Sequence, residues 1–265
     1  MALQIDEGLG QAHVPLARVE AYYRWNRDAA LREFRRALEL NPNDETAHHL
    51  YGEYLIRIGL TSEGMKELSA ALKLSPAAIA NNLDLGTAYY ALRQYDQAIE
   101  QYHKTLQMDP NFAACHAFLA MAYSAKGMHA QAIAEIEKAT AMIGERPINL
   151  GLLGNTLAAA GRRDDASQVL EKLILRSQQS YVAPLSMALI YAGLGQKDRA
   201  LELLEKGYAE HDPWLVQFLR NYYQFDELRP DPRFADLMQR VGVGSAQSKF
   251  DAKMSPSLSS EENQK

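Results

Sequence analysis

Residues 79–112 read IANNLDLGTAYYALRQYDQAIEQYHKTLQMDPNF, and their landmarks recur along the chain every 34 residues. Pro110 has counterparts at Pro76 and Pro42. Gly86 has counterparts at Gly52 on one side and at Ala120, Gly154 and Ala188 on the other. Ala98 returns as Ala132, Ala166 and Ala200. Each unit reads as two helices of about thirteen residues joined by a short turn. The small residue midway along each helix lets the pair approach closely, and large neighbours such as Tyr89 and Tyr102 fill the space as ridges fill grooves. Proline after the second helix cannot continue it. No helix pair of this kind buries its apolar face alone, so neighbouring pairs must stack. The expected fold class is all-α, a solenoid of helix pairs.

Six units follow from this phase, at 10–43, 45–78, 79–112, 113–146, 147–180 and 181–212. The first is the least regular. Its Leu16-Ala17 and Tyr22 lie one position out of phase, Pro15 is expected to fray its first helix, and Trp25 takes the turn. Gly59, Gly127, Gly161 and Gly195 fall where the first helix of a unit ends and a left-handed residue closes the last turn. Ala2-Leu3-Gln4-Ile5-Asp6 matches Ala37-Leu38-Glu39-Leu40-Asn41, so residues 1–9 read as the end of a preceding repeat in a longer array. After Asp212 the period fails. Asp212-Pro213 and Asp231-Pro232 each pair an N-cap with a first-turn proline, and residues 213–241 read as helices capping the open end. Residues 242–265, rich in Ser, Lys, Glu and Gln, are expected to be disordered.

Chemistry is sparse. The net charge of −5 argues against general nucleic-acid binding. The arginines at 24, 27, 32, 35 and 36 are interleaved with Asp28 and Glu33, as on a solvated helix face. A single cysteine, Cys115, excludes an internal disulfide and any multi-cysteine zinc site. Its neighbour His116 adjoins it along one helix and is not opposed to it as a base must be. His48 and His49 face different sides of a helix. His116 shares the repeat position of His48, which marks a packing role. Gly193-Leu194-Gly195-Gln196-Lys197 lacks the Gly-Lys-Ser/Thr ending and the preceding strand of a phosphate loop. No stretch is long and apolar enough to span a bilayer, and Met1 to Asp6 lacks the charged and apolar regions of a signal peptide. The expectation is a cytoplasmic, non-enzymatic chain without metal or cofactor, binding neither nucleic acid nor membrane.

The recurring residues from Ala2 to Val241 resemble the tetratricopeptide-repeat proteins of bacteria. The resemblance implies a right-handed superhelix that binds proteins or peptides. The block Ile190 to Gly195, Asp212 to Val216, Phe225 to Arg229 and Asp231 to Phe234 is similar to the end of arrays fused behind winged-helix regulators, serine/threonine kinases or nucleotide cyclases. It implies a part in signalling or regulation, or else a regulatory fragment whose effector domain lies elsewhere. In this family the first helix of each repeat lines the concave face. Carried over by phase, the groove positions are His49, Glu53 and Ile56, then Leu83, Thr87 and Tyr90, then Ala117, Met121 and Ser124, then Gly151, Asn155 and Ala158, then Leu185 and Leu189. The cations of arrays that clamp carboxylate tails are almost absent from this set. The expected ligand is therefore an extended or helical peptide held by apolar anchors, or a second copy of the chain.

Overall fold

A computed structural model describes residues 10–244. Every regular element in that range is helical. The pairs are α1 (Gly10–Tyr22) with α2 (Arg27–Leu40), α3 (Glu45–Arg57) with α4 (Thr61–Leu74), α5 (Ile79–Ala91) with α6 (Tyr95–Met108), α7 (Ala113–Ala125) with α8 (His129–Ile143), α9 (Pro147–Ala159) with α10 (Arg163–Ser177), and α11 (Pro184–Gly193) with α12 (Lys197–Ala209). They are followed by α13 (Trp214–Phe218), a 3-10 turn (Tyr223–Leu228) and α14 (Pro232–Arg240). The expected end of a preceding repeat, at residues 1–9, lies outside the described residues.

The helix ends follow from local chemistry. Asn26 and Asp44 cap α2 and α3 by accepting the amide protons of Ala29 and Ala47 at 3.1 and 3.0 Å. Pro147, Pro184 and Pro232 open α9, α11 and α14, where a missing N–H costs nothing. The turn inside each pair places one residue in the left-handed region, and the six positions are spaced by 34: Trp25, Gly59, Arg93, Gly127, Gly161 and Gly195. Helix α1 is continuous through Pro15, contrary to the expected fraying.

Within the pairs, Ala98, Ala132, Ala166 and Ala200 are fully buried, as is Tyr102. A periodic brace joins the two helices of a pair. The His13, His48 and His116 rings meet Glu33, Glu67 and Glu135 at 2.7, 2.6 and 2.5 Å. In the third pair Gln101 donates to Asn82 Oδ1 at 3.1 Å. At Gly151 the next repeat comes close, for a Cβ there would lie 2.5 Å from the Ser186 carbonyl oxygen.

The segment after α12 does more than cap the last repeat. Its Leu215, Val216, Phe218, Leu219, Tyr222, Phe225, Leu228, Phe234 and Leu237 are buried in one core with residues of α1, α3, α5, α7 and α11. The two ends of the array also meet, through α12 and the residues after it. Trp25 stacks on Tyr208 and on His211, each with ring centroids 4.9 Å apart, and the Arg240 guanidinium lies 4.4 Å from the Tyr208 ring centroid. The packed structure also runs past the expected boundary at 242. Val243 is fully buried, and the amides of Val243 and Gly244 donate to the Met238 carbonyl at 2.9 and 2.8 Å. An apolar side chain inside the core and a closed α14 terminus hold these residues in place. Residues 245–265 of the expected tail lie outside the described residues.

Candidate functional site

The expected groove positions do lie along the first helices of the repeats, but from the third repeat onward all except the half-buried Ala117 are closed off. Leu83 and Thr87 are buried, and Tyr90, Met121, Ser124, Asn155, Leu185 and Leu189 are almost completely so. Ile56 is likewise buried. The C-terminal segment covers much of this face. Tyr90 meets Tyr222 with ring centroids 5.3 Å apart, and Tyr222 in turn stacks on Phe218 at 4.4 Å. Ser124 Oγ and the Tyr223 hydroxyl share a short hydrogen bond, and Asn221 donates to the Ile56 carbonyl at 2.8 Å. Further along, the repeats cover one another: Asn155 donates to the Leu189 carbonyl at 2.8 Å. An apolar row on the inner face needs an apolar cover, and the chain supplies its own.

The first two repeats differ. A cleft of about 830 Å³ opens between α1, α3 and the start of α13. Val14, Pro15, Arg18, Val19, Tyr22 and Tyr23 line one wall, and Leu50, Glu53 and Arg57 the other. Pro213, Trp214 and Gln217 close one side. Tyr23 is 69% exposed and Val19 38%. Of the expected groove residues only Glu53 lines this cleft. The wall from α1 was missed because the groove phase was carried only over repeats two to six. A step of 34 takes His49, Glu53 and Ile56 back to Pro15, Val19 and Tyr22, and the 35-residue offset of repeat one takes His49 and Glu53 back to Val14 and Arg18. Either step would have named residues of this wall.

Glu53 and Arg57 on the cleft wall belong to a charged cluster with His49 and Asp84. His49 Nε2 meets Asp84 Oδ2 at 2.7 Å, and Arg57 Nη2 donates to Glu53 one helical turn away. Burial works against the charged Glu53, but Arg57 outweighs it and holds its pKa below the ordinary value. Burial also disfavours charge on His49, yet the hydrogen bond to Asp84 prevails and raises its pKa. Asp84 is raised by burial, only partly offset by His49. Burial lifts the Tyr22 hydroxyl well above its usual range, so it stays protonated. The Arg57 side chain is 8% exposed, and its Nε and Nη1 have no hydrogen-bond partner. With Glu53 and Asp84 ionised and Arg57 charged, the cluster is neutral when His49 carries its proton.

Reactive chemistry finds little to work with. The Cys115 thiol is buried, donates to the Tyr102 carbonyl at 3.4 Å, and is pushed by burial up to about 12, so it stays protonated. Among the described residues no group of three or more His, Cys, Asp or Glu is placed to hold a metal ion. Among the same residues no helix is long and apolar enough to cross a membrane. In the basic cluster Arg24 pairs with Glu20 and Arg36 with Glu39, at 2.6 and 3.1 Å, and Arg35 donates to the Tyr51 hydroxyl at 3.2 Å.

Family models described as tetratricopeptide repeat match residues 19–79, 83–112 and 113–144. Over residues 19–144 the chain is built of tetratricopeptide repeats. Solved repeat proteins share its fold. PilW, titled a widely conserved type IV pilus biogenesis factor, is 22% identical over 70% of this chain and 84% of its own, with a TM-score of 0.60. Pseudomonas aeruginosa pilF is 18% identical over 85% of this chain and 98% of its own, with a TM-score of 0.54. A thermophilic repeat protein of Thermus thermophilus is 21% identical over 87% of this chain and 99% of its own, with a TM-score of 0.50. At these identities the likeness concerns the fold alone. No curated protein matches the sequence.

Proposed function

We propose that this tetratricopeptide-repeat protein is a non-enzymatic scaffold that captures a protein or peptide at the N-terminal end of its concave face. The observation that carries this reading is the cleft of about 830 Å³ between α1, α3 and Pro213–Gln217. It lies on the face whose positions from Leu83 onward are almost all buried, and it leaves Tyr23 and Val19 exposed on its wall. Exposed aromatic groups beside a concave, partly charged surface are what interfaces use as anchors. The resemblance of the block from Ile190 to Phe234 to regulator, kinase and cyclase arrays supports a place in a cytoplasmic regulatory system. The partner is expected to be another protein, with a second copy of the chain as the alternative.

The test is affinity capture from the native cell with the wild type and with a Val19→Glu, Tyr23→Glu double variant, together with sedimentation of the purified protein. We expect one or more proteins to be retained by the wild type and lost from the variant, with helicity and melting unchanged. Equal retention by both would move the binding site off the cleft. Concentration-dependent dimers abolished by the same substitutions would identify the partner as a second copy.

A further inference from the structure

We propose that the cleft reads a short extended peptide segment in which a bulky apolar side chain stands beside an acidic one. This rests on the scaffold reading and adds the chemistry of the partner. The apolar part follows from the walls. Val14, Pro15, Val19, Leu50 and Pro213 surround the space, and Tyr22, Tyr23 and Trp214 supply ring faces. The volume of about 830 Å³ lies in the range of pockets that enclose a whole ligand. The helical wall from Val14 to Tyr22 covers eight steps, roughly 12 Å at the helical rise per residue, or about four residues of extended chain.

The acidic part follows from the charges. Four ionised groups line the cleft: Arg18, Asp44, Glu53 and Arg57. Asp44 is committed to the N-terminus of α3, where it accepts the Ala47 amide proton and faces the positive end of the helix. Glu53 is committed to Arg57. Arg57 keeps Nε and Nη1 without acceptors in a side chain more than nine-tenths buried. Arg18 is exposed and stands far enough from Glu53 to act on it through space alone. Its guanidinium presents five donors and no acceptor. The negative charges are therefore taken up locally, while positive donor capacity is left over between aromatic rings. A cationic group entering the cleft would meet Arg18, beside carboxylates already engaged through Asp44 Oδ1 and Glu53 Oε1. A carboxylate would gain charge-assisted hydrogen bonds from Arg18 while its apolar neighbour covers Tyr23 and Val19.

The experiment selects displayed random heptapeptides on the full-length protein, then measures synthetic copies of the winners by fluorescence anisotropy. Each winner is paired with a copy in which Asp or Glu is replaced by its amide. Selected sequences should carry an aromatic or large aliphatic residue within two positions of an acid, and the amide copies should bind about tenfold more weakly. Arg18→Gln should erase the preference for acid over amide. Tyr23→Ala should weaken both copies alike, and circular dichroism melting should be unchanged in both variants. If selected peptides need Tyr23 but bind equally as acid and amide, the acidic requirement is wrong while the cleft stands. Winners that bind both variants as tightly as the wild type, or the absence of any winner, would overturn the proposal and the cleft reading together. Tighter binding after Leu3 and Ile5 are changed to Ser would assign the cleft to the chain's own N-terminal segment and overturn the proposal.

Discussion

The two ends of the concave face occupy the same repeat positions and reach opposite outcomes. From the third repeat onward the inner positions are Leu83, Tyr90, Met121, Leu185 and Leu189, and each is buried. At the first two repeats they include Val14, Arg18, His49 and Glu53, and a cleft remains beside them even though Ile56 is buried. The composition changes where the cover changes. An inner face without cations can be read as a surface awaiting an apolar partner, but here the apolar partner is the chain's own C-terminal segment. The charged positions mark the stretch that this segment leaves uncovered.

The largest expected effect separates the ends directly. Tyr222→Ala removes a ring packed between Tyr90 and Phe218 and should cost about 3–5 kcal/mol in urea unfolding, the range for deleting a buried aromatic side chain. Tyr23→Ala, at the open end, should change stability by less than about 0.5 kcal/mol. Similar values for the two would mean that the C-terminal segment is not packed along the face.

A smaller effect concerns the turns. Gly127 is left-handed, with nothing within 4 Å of where a Cβ would lie. Gly127→Ala should therefore cost about 1 kcal/mol from backbone strain alone. Arg93 holds the equivalent position in the third repeat with φ of 62°, and it reaches Asp226 of the C-terminal segment at 2.6 Å. Arg93→Gly relieves strain while losing a half-exposed ion pair, so its melting point should stay close to that of the wild type. A large loss would show that this contact holds the segment in place.

The smallest effect is a pH dependence at the open end. The folded pKa values of His49 and Asp84 are both raised, so folding favours proton binding at both. For His49 the added stability is fully present below the ordinary histidine pKa of about 6.5 and is lost as pH rises through the folded value. Asp84 contributes with the same sign at lower pH. The urea midpoint of the wild type should fall as pH rises above about 6.5, and the slope should flatten in His49→Gln. An equal slope in the variant would place the titrating group elsewhere.

The period of 34 and the small residues that carry it made the helix pairs and their turns readable without coordinates, because a spacing of small and large residues constrains how adjacent helices meet. Even the one-residue offset of the first repeat was visible at Leu16-Ala17 and Tyr22. The expected groove positions could also be named without coordinates, since phase alone determines which side of a helix a residue faces. It could not say which of those positions would stay exposed. That depended on contacts between residues far apart in the chain, Asn221 with Ile56 and Tyr223 with Ser124, which leave no periodic trace. Local spacing determined the repeats, and long-range packing of the C-terminal segment decided where the inner face was covered and where a partner could still enter.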